Sequence, residues 1–128
     1  MQEEYLALRW KLLKHRKNVI ESRTKKFEKF VANLAEAFGD KATIILIGSR
    51  ARRTAKTYSD FDLLIIYKDL KEEEVYAVVR NFKSMDLPID FLPIRIEDFN
   101  PNDKLLKEML KEMRILHDGI KLFYENKL

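Results

Sequence analysis

Cysteine does not occur in this chain, which removes disulfides, zinc–thiolate sites and thiol nucleophiles together. Histidine occurs twice, at His15 and His117, far apart and with no ligand spacing around either. His117, just ahead of Asp118 and Gly119, is read as the last turn of a helix, where positive charge is favourable. No apolar run approaches the roughly 18 residues of a membrane span; the longest, Ala42 to Gly48, reads as a buried strand. The three glycines build neither a G-x-x-x-x-G-K-[ST] loop nor a G-x-G-x-x-G fingerprint. The first residues are acidic and amphipathic, without a basic region followed by an apolar one. No signal peptide is therefore expected, and the expected location is the cytoplasm. Internal repeats and low-complexity linkers are also missing.

The 128 residues, 46% of them hydrophobic, suit one folded domain covering 1–128, with residues 1–26 as a helical extension. A net charge of +4 permits anionic partners without requiring nucleic acid. Residues 3–38 are periodic in Leu6, Trp10, Leu13, Ile20, Phe27, Val31, Leu34 and Phe38, a 4-3 alternation interrupted at Lys17 and Thr24. One long helix or two end-to-end helices would fit, ended by Gly39. The half from Phe27 to Phe38 is expected on a sheet. The earlier half is strongly basic and reads as a solvated face rather than an RNA-binding stripe.

"ATIILIGS" predicts a central strand, and "SDFDLLIIY" a second. In the latter, Asp60, Asp62, Leu64 and Ile66 share one face, and Phe61, Leu63, Ile65 and Tyr67 the other. Val75, Val78, Val79 and Phe82 predict a helix over Lys71 to Met85. "LPIDFLPIRI" is a third strand, and its Pro88 and Pro93 argue for an edge or irregular strand. Asn100 is read as a helix cap with Pro101 at the first position, and the apolar face then runs from Leu105 through Leu106, Met109, Leu110 and Met113 to Leu116. Gly119 would end that helix and "IKLFY" would form the last strand. The order α-β-β-α-β-α-β indicates an α/β (α+β) fold: a mixed sheet with helices packed against it.

The chemistry concentrates between Gly48 and Asp62, where Arg50, Arg52, Arg53 and Lys56 precede two aspartates one residue apart. Asp60 and Asp62 emerge on the same strand face, about 6.6 Å apart along the chain. Such a pair can hold hard divalent ions, with Mg²⁺ and substrate phosphates the natural complement. A bare D-x-D also occurs at ordinary strand starts, and Gly–Ser at ordinary turns. Together they say more: a glycine at the end of a buried strand lets a ligand approach the backbone, and a serine beside it can meet phosphate oxygens.

"GSRARRTAKTYSDFD" resembles the G-S-x10-D-x-D signature of the minimal nucleotidyltransferases, within the DNA polymerase beta-like superfamily. Gly48 and Ser49, ten intervening residues, then Asp60 and Asp62 match it in type and spacing. The resemblance spans residues 27 to 124 and implies a nucleotidyltransferase fold. It implies a third carboxylate on a later strand, for which Asp90 is the well-placed candidate. Asp60, Asp62 and Asp90 would then form the metal and catalytic set, with Asp90 helping to deprotonate the acceptor hydroxyl. Gly48, Ser49, Arg52 and Ser59 would bind the nucleotide. Arg53 stands where the family often has glycine, a departure that bears on the loop's path.

The resemblance further implies two Mg²⁺ ions and ATP or another NTP as substrate. A chain of this size is similar to the transferase half of two-component toxin–antitoxin systems, whose partner is a helical HEPN ribonuclease modified on a tyrosine with AMP. A sterically blocking, non-catalytic antitoxin and a small-molecule nucleotidyltransferase are the competing readings. Leu6, Trp10 and Leu13 exceed what a domain this small can cover, so the N-terminal helix is expected in a self-association or partner interface. Folding back onto its own domain is the alternative. A membrane or nucleic-acid partner is not expected.

Overall fold

All six residues of the first strand, Ala42–Ile47 (β1), are buried, so both of its faces require apolar cover. The computed structural model describes residues 2–52 and 60–123, without the side chains of Gln2, Ser49 and Arg52. One helix, Gln2–Phe38 (α1), runs unbroken into a short turn at Gly39–Lys41. Gly39 has φ +56°, the left-handed conformation that ends a helix at low cost for glycine. After β1 come a helical turn, Gly48–Arg52 (α2), the strand Phe61–Tyr67 (β2) and the helix Glu72–Phe82 (α3). The strand Ile89–Arg95 (β3), the helix Lys104–Leu110 (α4) and the strand Arg114–Asp118 (β4) complete the chain.

The sheet order is β3-β2-β1-β4. β1 lies antiparallel to both β2 and β4, and β2 parallel to β3. β3 is therefore an edge strand, as Pro93 requires. The expected division of faces along β2 is present: Phe61, Leu63, Ile65 and Tyr67 enter one core, Leu64 and Ile66 the other. The first core holds α1 and α3 through Phe27, Phe30, Leu34, Phe38, Val75 and Val79. Full burial of such a side chain contributes about 1.5–3 kcal/mol, whereas the solvent-exposed Lys26–Asp86 pair adds little. Apolar contact therefore holds α1 to the sheet. Its buried seam is Phe27, Phe30, Leu34 and Phe38, with Val31 only half-buried, a shift from the expected 4-3 alternation. Among the described residues no helix is long and apolar enough to cross a membrane.

The last third departs from expectation in three places. The helix cap is Asp103, whose Oδ2 accepts from Leu106 N at 3.2 Å, whereas Asn100 Oδ1 accepts from Asn102 N at 3.0 Å in a local turn. The helix stops at Leu110, and Arg114–Asp118 is a strand instead of its continuation. β1's outer edge would otherwise keep buried, unpaired N–H and C=O groups, and that cost outweighs a helical spacing carried by Met113 and Leu116 alone. His117 is accordingly a strand residue, its Nε2 lying 2.7 Å from Gly39 O. Ile120 to Phe123 form a turn rather than the last strand, and Ile120, Leu122 and Phe123 pack on the second core beside Leu106.

Candidate active site

β1 ends at Ile47, and the register sets Ile47 opposite Asp62 on β2. Across the next pairing, Asp62 lies opposite Asp90 on β3. Register partners share a face, so the two carboxylates emerge side by side, on the α4 side of the sheet with Leu64 and Ile66. Phe61 points the other way, stacks on Phe27 with ring centroids 4.1 Å apart, and is buried. That anchor fixes the start of β2 and hence the direction of Asp62. Asp60, exposed, immediately precedes the strand.

Gly48 turns the chain away from β1 with φ +77°, and a Cβ there would lie 2.6 Å from Asp62 Oδ2. The missing side chain is therefore what allows the carboxylate to sit against the end of β1. Burial, then the Asp90 and Asp60 carboxylates, push the Asp62 carboxyl above its ordinary value, because ionisation puts like charges together in partly dehydrated surroundings. Arg50 of α2 lies on the Phe61 side of the sheet, its guanidinium carbon 4.2 Å over the Phe61 ring. Burial and neighbouring Arg23 lower its pKa, while Asp60 opposes them.

A cavity of about 580 Å³ opens on these residues, lined by Gly48, Asp62, Asp90 and Leu92, with Glu108 and Met109 of α4 as its far wall. A larger one, about 750 Å³, lies at the other end of β2 and β3 beside Tyr67, Glu72, Arg95 and Asp98. Its charges balance, Lys71 and Arg95 against Glu72 and Asp98, with Arg95 Nε lying 2.9 Å from Asp98 Oδ2. The smaller cavity is the one with unbalanced charge.

Residues 24–117 match the nucleotidyltransferase domain family. The chain belongs to that family. It is 33% identical over 109 residues to a Methanocaldococcus jannaschii protein provisionally named protein adenylyltransferase MJ1305, covering 77% of this chain and 69% of that one. Its fold is similar to a crystal structure provisionally described as a nucleotidyltransferase from Sulfolobus solfataricus, with a TM-score of 0.52, 21% identity, and coverage of 78% of this chain and 84% of that one. At that identity the likeness speaks to the fold alone.

Within this nucleotidyltransferase domain the fold brings Gly48, Asp62 and Asp90 to one cavity, while Asp60, just ahead of β2, acts on Asp62 by charge without lining that cavity. Ser59 and Arg53 lie outside the described residues, as do the side chains of Ser49 and Arg52, whose backbone forms part of α2. Met109 was read only as part of a helix's apolar face and Glu108 carried no signal: they sit on a seven-residue helix whose facing partner is set only by tertiary packing. Among the described residues no three acidic or histidine side chains converge as a ready-made metal cage. The oxygen donors nonetheless fit a hard divalent ion that completes its shell with substrate phosphates, and a cation there would relieve the repulsion that raises Asp62.

Proposed function

We propose that this nucleotidyltransferase transfers AMP from ATP to a tyrosine hydroxyl of a helical HEPN-type partner, with Mg²⁺ as cofactor. The observation that carries the reading is the juxtaposition of Asp62 and Asp90 across β2 and β3, with Asp62 raised in pKa beside Gly48. The name of the Methanocaldococcus relative supports adenylyl transfer and a protein acceptor.

Asp60, Asp62 and Asp90 would hold Mg²⁺, which when bound neutralises charge on the triphosphate and the departing pyrophosphate. Gly48 leaves room for the Asp62 carboxylate beside the backbone, and Ser49 and Arg52 are the expected contacts to the phosphate oxygens. Asp90 is exposed on the edge strand, where an acceptor can approach from solvent. Its carboxylate takes the proton of the acceptor hydroxyl. The freed oxygen bonds to the α-phosphorus, and the bond from that phosphorus to the bridging oxygen breaks, releasing pyrophosphate. Glu108 and Met109 form the far wall of the cavity.

The test first asks whether the adjacent reading frame encodes a small HEPN-type protein, and then combines that protein with the chain, Mg²⁺ and ATP labelled at the α-phosphate. Label should appear on one partner tyrosine and vanish with Asp62→Asn. Inhibition of the partner by wild type and Asp62→Asn alike, without label, would replace the reading by steric blocking. Label found only on a small molecule would overturn the protein acceptor.

A further inference from the structure

Residues 3–18 of α1 are exposed around the whole helix, yet they are rich in large apolar side chains. Tyr5, Leu6, Leu8, Trp10, Leu12 and Leu13 expose 63%, 54%, 57%, 72%, 62% and 49% of their surface. The segment from Gln2 to Lys26 extends about 37 Å at the helical rise, ahead of the first buried residue, Phe27. An α-helix turns about 100° per residue, which sorts these side chains into two stripes. Leu6, Trp10, Leu13 and Ile20 form one; Tyr5, Leu8, Leu12 and Val19 form another, about 120° away. Arg9 and Arg16 occupy the sector between them, Lys17 interrupts the first stripe, and Lys11 and Lys14 lie on the far side.

Charge selects what covers them. Residues 2–26 carry eight lysines and arginines against three glutamates, a net of +5, whereas the whole chain carries +4. The rest of the molecule is therefore net −1, and the excess positive charge belongs to this helix. A second copy is a poor match. Pairing through the stripes in parallel sets Arg9, Arg16 and Lys17 level with themselves, and antiparallel pairing centred between Leu12 and Leu13 sets Arg9 against Arg16, unfavourable in either case. A bilayer surface takes one apolar face with cations opposite, but here Arg9 and Arg16 would be pressed into lipid between the stripes. A groove between two helices suits both features: each stripe packs on one helix, and the arginines meet carboxylates on the groove floor.

We propose that the first twenty or so residues of α1 dock in a groove between two helices of an acidic partner protein. This docking does not depend on the transfer reaction.

The experiment uses the full chain in its host cells, with a benzophenone amino acid placed in turn at Leu6, Leu13, Leu8 and Leu12. Photo-crosslinking from both stripes should yield the same protein, with adducts on two separate helices of net negative charge. With that protein purified, Arg9→Glu with Arg16→Glu should weaken binding at least tenfold, as should Leu8→Ser with Leu12→Ser. Adducts to a second copy of the chain, to lipid or to RNA would overturn the proposal, as would adducts from one stripe only or from neither. Asp62→Asn should crosslink like wild type whether or not label is transferred, so a failure of docking and a failure of adenylylation are read separately.

Discussion

Thr43 and Asp62 lie on the same face of the same strand pair, at opposite ends. They differ in whether the fold completes their hydrogen bonds. At the Thr43 end everything is closed. Thr43 Oγ1 donates to Asp118 Oδ1 at 2.9 Å and accepts from Ile120 N at 3.3 Å. Asp118 also accepts from Leu122 N at 2.9 Å and Phe123 N at 3.0 Å, which ties the final turn to β1. At the Asp62 end, among the described residues, no group donates a hydrogen bond to the Asp62 or Asp90 carboxylate, and both face a cavity. A carboxylate whose acceptor sites are filled by its own chain stabilises the architecture. Carboxylates left repelling one another beside open space are disposed towards a cationic ligand.

The largest effect should come from exchanging the two ends. Asp62→Asn or Asp90→Asn should lower transfer by about two orders of magnitude or more while circular dichroism stays native. Asp118→Asn, at the closed end, should lower Tm and leave the turnover of the folded fraction within about twofold. If Asp62→Asn keeps wild-type turnover, or Asp118→Asn loses it without unfolding, the division between the ends is wrong.

The two glycines at the strand-pair ends sharpen the same contrast. A Cβ on Gly119 would lie 2.0 Å from Gly39 O and 2.4 Å from Ala42 O, against backbone that cannot move aside. Gly119→Ala should cost about 2–4 kcal/mol of stability in denaturant titration. The Cβ on Gly48 meets the end of the Asp62 side chain, which can rotate away. Gly48→Ala should therefore cost only about 1–2 kcal/mol, from its positive φ, but should lose most transfer because the carboxylate is displaced. Equal loss of stability in both variants would erase the distinction.

This contrast also marks how far the sequence could be read. The open end was legible because its chemistry is local: Gly48, Asp60 and Asp62 fall within one loop and strand, and the period-2 pattern of β2 assigns its faces. Asp90 came only through family resemblance, since a parallel register is set by tertiary pairing. The closed end was missed. Five residues from Arg114 to Asp118 support helix or strand equally well, and only the unpaired edge of β1 decides between them. Thr43 and Asp118 are 75 apart in sequence, so nothing local announced their bond. Glu108 was invisible for the same reason.

A smaller effect is expected within the closed end. Thr43 is fully buried, and Thr43→Val keeps its shape while removing the hydroxyl. That leaves Ile120 N unpartnered and takes one donor from Asp118, a cost of about 1–2 kcal/mol readable as a shift of denaturation midpoint at constant m-value. Transfer should not change. No shift in midpoint would mean that the turn is held by the two backbone donors alone.

The smallest effect concerns the stability of the open end itself, and its sign opposes the usual consequence of mutating a carboxylate. Burial, Asp90 and Asp60 raise the Asp62 carboxyl in the folded protein, so the folded state binds this proton more tightly than the unfolded chain does. Wherever both states are ionised, above the folded value, Asp62 penalises folding. Below the unfolded value, near 3.8, both are protonated and the penalty disappears. Asp62→Asn should therefore raise Tm at pH 7 in metal-free buffer, with the gain fading as pH falls through the carboxylate range. Asp86 supplies the opposite case, its carboxyl lowered to about 2 by hydrogen bonds from Lys26 and Ser84. Asp86→Asn should lower Tm at pH 7, with the loss fading as pH falls towards 2. Mg²⁺ with ATP should raise the Tm of wild type and not of Asp62→Asn, because a bound cation removes the repulsion that the asparagine has already removed. A fall in Tm on Asp62→Asn at pH 7 would show that the carboxylate is held by the fold after all, and the open end would have to be redrawn as a closed one.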